Sequence, residues 1–143
     1  MNQEITWSIA GSDSSSGAGI QADLRTFHAL GVHGCSIITA ITAQNPKEIA
    51  SIHYIDAIHI ASQINTLKNT LPPKAIKIGM LGNPDIIKEI TRFLHNYTGY
   101  VVLDPLMVST SGKNLFVTNI TEYISQLKQI FSFVDVLTPV DGC

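Results

Sequence analysis

The stretch Gly11-Ser12-Asp13-Ser14-Ser15-Ser16-Gly17-Ala18-Gly19 is the first place in this sequence where residue type and spacing could serve chemistry. Small residues let a backbone come close to a ligand. The apolar spacing that follows, Ile20, Leu24, Phe27 and Leu30, opens a helix, and the first N–H groups of a helix favour an anion or a polar ligand group. The glycines do not fit the G-x-G-x-x-G dinucleotide fingerprint. Nor do they fit the phosphate loop of nucleoside triphosphatases, because Ala18 stands where a lysine would follow the second glycine. The stretch therefore reads either as a ligand loop or as a tight strand-to-helix turn.

Other positions invite the same two-sided reading. Gln44 carries a donor and an acceptor on one amide, which suits an aminopyrimidine edge; taken alone, it reads more readily as the cap of a turn with Asn45. Met80, at the end of an apolar run, can lie against an aromatic ligand, although a methionine there is more commonly part of a core. Asp23, on the first helix, reads by itself as a solvated carboxylate. Asp104 precedes Pro105 at the end of another apolar run. A carboxylate there could hold Mg²⁺ or a water for phosphate chemistry, with a structural Asp-Pro turn as the competitor. The five histidines, His28, His33, His53, His59 and His95, show no metal spacing. Two scattered cysteines, Cys35 and Cys143, make neither a disulfide framework nor a metal pattern. Cys35 reads as a small buried residue in a strand.

The elements that must position these residues alternate between strand and helix. Residues 5–10 read as a strand with Ile5, Trp7 and Ile9 on one face. The first helix closes at Gly31, a C-terminal cap. Residues 35–43 are small, β-branched and apolar, as a buried strand requires. A loop through Gln44, Asn45 and Pro46 leads to a short strand over 49–54. Ile60, Ile64, Leu67 and Leu71 form a second helical stripe, ended by Pro72-Pro73. Residues 75–78 make a strand that runs into Gly79-Met80-Leu81-Gly82. Asn83-Pro84 supplies an N-cap with proline at the first helical position, before a stripe of Ile86, Ile90, Phe93 and Tyr97. Residues 100–103 form a strand ending at Asp104. Asn119 with Glu122 fits a capping box before Ile120, Tyr123, Ile124, Leu127 and Ile130, and residues 134–137 form a last strand.

This order predicts a single α/β domain of three layers, with a parallel sheet and helices on both faces. Ligands of such sheets sit beyond the carboxyl ends of the strands, where the loops 11–19, 44–46, 79–82 and 104–112 fall. The sequence stops a few residues after an apolar strand, in Val140-Asp141-Gly142-Cys143, with no helix to cover that strand. The pattern is read as interrupted.

Bulk composition narrows the class. The 143 residues are 45% hydrophobic and only 14% charged, as expected of apolar strands buried on both faces. Net charge is −2 and no Lys/Arg run exists, so no nucleic-acid footprint is expected. No apolar run approaches the ~18 residues of a membrane span, and the N-terminus lacks a signal-peptide pattern. A cytoplasmic protein without membrane or nucleic-acid partners is the expectation.

Four blocks of this sequence together resemble the hydroxymethylpyrimidine/phosphomethylpyrimidine kinases, of the ribokinase-like superfamily. They are Ile9-Ala10-Gly11-Ser12-Asp13 with Gly17-Ala18-Gly19-Ile20-Gln21-Ala22-Asp23-Leu24; Thr39-Ala40-Ile41-Thr42-Ala43-Gln44-Asn45; Lys77-Ile78-Gly79-Met80-Leu81-Gly82; and Val102-Leu103-Asp104-Pro105-Leu106-Met107-Val108 with Ser111-Gly112. The resemblance implies the ribokinase-like fold. It implies phosphorylation of 4-amino-5-hydroxymethyl-2-methylpyrimidine and then of its monophosphate, with ATP and Mg²⁺, in thiamine biosynthesis. It places Gln44 on the pyrimidine edge, Gly11, Met80 and Val108 around the same pocket, Asp23 near the hydroxymethyl group, and Asp104 toward phosphate and metal. It covers residues 1–143 as the N-terminal part of one kinase domain. The family's Thr-Pro-Asn, its acidic helix, its glycine-rich anion hole, its catalytic cysteine and most of its ATP site have no counterpart here. Thr138-Pro139 is followed by Val140, and Cys143 has no glycine-rich surroundings. The expectation is therefore a pyrimidine kinase reduced to its substrate-side half, inactive alone, and completed by a second copy or a separately encoded C-terminal half. The rivals are a pyridoxal/pyridoxine kinase relative and a non-catalytic remnant or interaction module.

Overall fold

The computed structural model describes residues 3–109 and 111–138. It contains β1 (Ile5–Asp13), α1 (Gly19–Ala29), β2 (His33–Gln44), β3 (Ile49–Tyr54), α2 (Ala57–Leu67), β4 (Ala75–Ile78), α3 (Pro84–Leu94), β5 (Tyr100–Leu103), α4 (Ile120–Phe131) and β6 (Val136–Leu137). The six strands form one sheet in the order β3-β2-β1-β4-β5-β6. All neighbours are parallel except β3, which pairs antiparallel with β2 at one edge. The three-layer α/β fold expected from the sequence is present. The antiparallel edge is an addition, and its cause is the short connection of residues 45–48. A parallel return needs a long crossover, whereas a few residues suffice for a hairpin.

Strand alternation sorts the residues between the two faces. Trp7, Ile9, Cys35, Ile37, Ile76, Ile78, Val101 and Leu103 join Ile60, Ile64, Ile86, Ile87, Ile90, Leu94, Tyr123, Leu127 and Ile130 in the main core. This is the face that α2, α3 and α4 cover, packed side by side. Trp7 is the sequence's single tryptophan; it is fully buried, donates its indole N–H to the Leu71 carbonyl at 2.9 Å and stacks on Phe93. The intervening residues face the other way. A Cβ at Gly34 would lie 2.8 Å from Leu24 and 2.9 Å from Phe27, so the absent side chain lets α1 settle on β1 and β2.

Helix ends follow their local chemistry. Asn83 and Asn119 cap α3 and α4 by accepting from the Asp85 and Glu122 N–H groups. Gly31 follows α1 with φ +75°. Leu71 and Tyr97, read from the sequence as the last turns of helical stripes, lie past the ends of α2 and α3, though both still pack on the core. β6 is shorter than the expected 134–137. Thr110 and the tail from Pro139 to Cys143, including the expected departures at Val140 and Cys143, lie outside the described residues.

The chain visits β2 and β3 on one side of β1 and only then β4, β5 and β6 on the other. The boundary between β1 and β4 is thus the topological switch point, where an open α/β sheet leaves a crevice at its carboxyl edge.

Candidate functional site at the switch point

β1 runs three residues further than its apolar pattern indicated, so Gly11, Ser12 and Asp13 are strand rather than loop. A register shift between Ala10 and Gly11 realigns β1 against β2 at this point. Gly11 lies against the segment that leaves β4: a Cβ there would stand 2.7 Å from Met80 Cε. At Gly19, φ is +57° and a Cβ would collide with the Gly11 carbonyl oxygen, so only glycine fits.

The turn of residues 14–18 does not keep its N–H groups for an anion. Asp13, 3% exposed, occupies it with its own carboxylate. Oδ1 accepts from the Ser15 N–H at 2.8 Å and the Ser15 hydroxyl at 2.7 Å, and Oδ2 from the Gly17 N–H at 3.0 Å and the Ala18 N–H at 2.9 Å. Burial works against this charge, but the Ser15, Ala18 and Gly17 donors outweigh it and hold the carboxyl below its ordinary range. Gln21 reaches back from α1, accepting from the Asp13 N–H at 2.9 Å and donating to Ser12 Oγ at 2.7 Å. Asp13 was not among the residues singled out in the sequence. Its signal was an acidic residue directly before three serines and a glycine.

Gln44 ends β2 and is half-buried. Its backbone is fixed by Ser14: the Gln44 N–H donates to Ser14 Oγ at 2.8 Å, and the Ser14 hydroxyl donates to the Gln44 carbonyl at 2.6 Å. Its side chain is held more loosely. Thr42 Oγ1 lies 2.8 Å from the Ser12 carbonyl and 3.1 Å from Gln44 Oε1. One hydroxyl proton serves both contacts, so the nearer carbonyl holds it and the amide contact yields easily to a ligand.

Met80 is buried in a small second cluster with Ala40, Ile49 and Leu115, flanked by Ile52, Tyr54 and Leu106. Thr39 donates to the Met80 carbonyl at 2.6 Å. Leu106 and Leu115 belong to the β5–α4 connection, which folds back over the carboxyl end of β2 and the amino end of β3. Lys113 fastens it there, donating to the Ile49 carbonyl at 3.0 Å. Burial, with the nearby Tyr123, pushes the Tyr54 phenol up to about 12, so this wall stays neutral.

Asp23 is not a solvated carboxylate. Its Oδ2 accepts from the Ser8 hydroxyl at 2.6 Å and pairs with Lys77 Nζ at 2.9 Å, under α1. Asp104 follows β5, its N–H donating to the Ile78 carbonyl at 2.8 Å, so it stands at the same sheet edge beyond β4. Val108 is exposed and bridges to Asn114 in the β5–α4 connection. Gly11 and Met80 are thus brought into contact, and Gln44 ends the strand beside Gly11. Asp23, Asp104 and Val108 occupy separate positions around that edge. Among the described residues no group of three His, Cys, Asp or Glu could hold a metal ion. No helix among the described residues is long and apolar enough to cross a membrane.

The sequence profile described as phosphomethylpyrimidine kinase matches residues 13–140. The chain belongs to the phosphomethylpyrimidine kinase family. It is 44% identical over 139 residues to a hydroxymethylpyrimidine/phosphomethylpyrimidine kinase of Haemophilus influenzae, covering 96% of this chain and 51% of that protein. A crystal structure of the phosphomethylpyrimidine kinase of Clostridium difficile superposes with a TM-score of 0.85 at 44% identity, covering 96% of this chain and 59% of that one. A pyridoxal kinase of Bacillus subtilis, solved as an ADP complex, gives a TM-score of 0.83 at 34% identity, over 96% of this chain and 52% of that one. The chain spans about half the length of the family members it matches.

The Asp13 turn makes a pH-dependent prediction. A carboxyl whose folded-state pKa is depressed stabilises the fold fully above its unfolded value, and that contribution fades as pH falls through the folded value. Asp13→Asn is expected to cost about 1–3 kcal/mol at pH 7, and the gap from wild type is expected to narrow below about pH 4. Urea unfolding at a series of pH values measures it; a gap independent of pH refutes the charged role.

Proposed function

We propose that this chain supplies the acceptor-binding half of a kinase that phosphorylates 4-amino-5-hydroxymethyl-2-methylpyrimidine and then its monophosphate, a step of thiamine biosynthesis. The observation that carries the reading is the pairing of Gly11 with Met80 at the switch point, beside a Gln44 whose backbone is fixed and whose amide is held only by a long contact from Thr42. Gly11, lacking a side chain, lets Met80 close against it, and Met80 gives the crevice a soft apolar surface suited to a flat ring. The Gln44 amide offers an acceptor for the exocyclic amine and a donor for the adjacent ring nitrogen. Val108 would close the pocket from the connection that Lys113 fastens.

ATP and Mg²⁺ are the cofactors of this reading. Pyridoxal kinase of Staphylococcus aureus, of similar fold, was solved with ADP and with AMP-PCP. Mg²⁺ is commonly held by one or two carboxylates plus the nucleotide's phosphates, so Asp104 fits as a contributing ligand, not as part of a protein cage. The Asp13 turn does not fit a triphosphate, because its donors are taken. The nucleotide would supply the transferable phosphoryl group. The residues of this chain would bind and orient the acceptor, which is most of what such an enzyme contributes.

The relation to pyridoxal kinases keeps a second reading in view, in which the acceptor is a pyridine alcohol. Direct competition between the two vitamers for the chain separates them, and the pyrimidine is expected to win. Calorimetry with the aminopyrimidine alcohol tests the main reading. Gln44→Ala is expected to weaken binding by about 1–3 kcal/mol, since it leaves ligand groups unpaired. Unchanged affinity rejects Gln44 as the reader of the pyrimidine edge.

The 143-residue chain alone is expected to bind without turning over. ATP-dependent phosphorylation by the purified chain above a no-enzyme control rejects that expectation. β6 pairs only with β5 among the described residues, and Val136 and Leu137 on it are 51% and 50% exposed. A second copy or a complementary kinase half would cover this edge. Concentration-dependent association is expected in ultracentrifugation, and a strict monomer at micromolar concentration refutes it.

A further inference from the structure

Lys77 lies in the middle of the parallel part of the sheet, between Ile76 and Ile78, both fully buried. Parallel strands covered by helices are normally apolar throughout, so a lysine here needs a reason. Alternation turns Lys77 onto the α1 face, level with Ser8 across the β1–β4 register. Its Nζ pairs with Asp23 Oδ2 at 2.9 Å, and the fully buried Ser8 donates to the same oxygen at 2.6 Å. Two donors therefore converge on one carboxylate oxygen. Oδ1 receives no donor among the described residues, and the ammonium spends only one of its three N–H groups on Asp23. Both charged groups are partly accessible, with side-chain exposures of 21% and 17%. Gly79 keeps the approach open, since a Cβ there would stand 3.0 Å from Lys77 Nζ.

We infer that Lys77, together with Ser8, is a positioning residue that clamps Asp23 by Oδ2, leaving Oδ1 and a spare ammonium N–H side by side to read the acceptor's primary alcohol. The alcohol's O–H donates to Oδ1 and its oxygen accepts from Nζ. A group that both donates and accepts satisfies this pair, and a methyl group satisfies neither. The inference rests on the pyrimidine reading of the site, in which the family resemblance already puts Asp23 near the hydroxymethyl group, and adds Lys77 and Ser8 to it.

The test compares 4-amino-5-hydroxymethyl-2-methylpyrimidine with its 5-methyl counterpart by calorimetry on the full chain. Wild type is expected to prefer the alcohol. Lys77→Met is expected to reduce that preference by about tenfold or more with the affinity for the methyl compound little changed, and Ser8→Ala to reduce it less. Lys77→Arg is expected to restore part of it. An ion pair that merely fastens α1 to the sheet would lower the melting temperature and leave the preference intact, and that result overturns the inference while sparing the pyrimidine reading. A wild-type chain that binds neither compound overturns both. Should Lys77→Met fail to fold, Ser8→Ala decides by the same preference. A scalar coupling between the Lys77 ammonium nitrogen and the Asp23 carboxylate carbon in labelled wild type is expected by NMR, and its absence refutes the clamp without any ligand.

Discussion

The turn from β1 into α1 is closed by a buried carboxylate, and much of the crevice depends on that closure. Asp13 gathers the Ser15, Gly17 and Ala18 donors onto itself, so the turn needs no bound anion to be stable. With the turn fixed, Gly19 comes against the Gly11 carbonyl and α1 starts directly above the end of β1. About one turn further along α1, Asp23 comes within reach of Ser8 and Lys77 on the sheet below. The same start brings Gln21 back onto Ser12 and Asp13, pinning the strand end from the other side. A single internal ion thus sets the entry angle of α1 and, through it, the position of a second charge.

The opposite wall is built by different means. Met80, Leu115 and Ile49 make a small apolar cluster separate from the main core, and the β5–α4 connection contributes Leu115 to it. Hydrophobic burial holds this connection down, but burial is non-directional. Lys113 adds direction by donating to the carbonyls of Ile49 and Ala50. Those carbonyls lie on β3, the sheet's antiparallel edge, so the contact also covers acceptors that an edge strand would otherwise offer to another chain.

The sequence exposed the fold through periodicity, and the parts it hid are those where periodicity carries no information. Helical stripes such as Ile86 and Ile90 or Tyr123 and Leu127, and the caps at Asn83 and Asn119, were legible because burial and capping each demand particular residue types. Gly11-Ser12-Asp13 was not legible as strand: small and polar residues can continue a ladder of backbone hydrogen bonds without showing an apolar alternation. The orientation of β3 was missed although it was legible, since the connection of residues 45–48 is too short for a parallel crossover. At the site, Gln44, Gly11 and Met80 were marked by the family blocks, and the structure adds how each is held. The Asp23–Lys77 pair could not be inferred from spacing, because its members are 54 residues apart and meet only when α1 lies on the sheet. Lys77 did carry a signal of its own, a charge inside an apolar strand.

That charge also marks a boundary in the molecule. On the α1 side of the sheet, the register places Ser8, Lys77, Val102 and Val136 in one row across four strands. α1 packs on β1 and β2 and reaches β4 through the Asp23–Lys77 pair. Beyond Lys77 the row runs into half-exposed Val102 and exposed Val136, and in the neighbouring row Tyr100 is 71% exposed. The opposite face of β1, β4 and β5 is buried under α2, α3 and α4. Apolar area left in water forfeits roughly 25 cal/mol per Å², so this face is the least stabilised part of the sheet. An ion pair at such a margin is not forced to pay the full desolvation penalty of a buried one, yet it gains little over an apolar pair of the same size. A small contribution to folding, with one carboxylate oxygen and N–H groups left over among the described residues, is what the positioning role proposed for the pair requires.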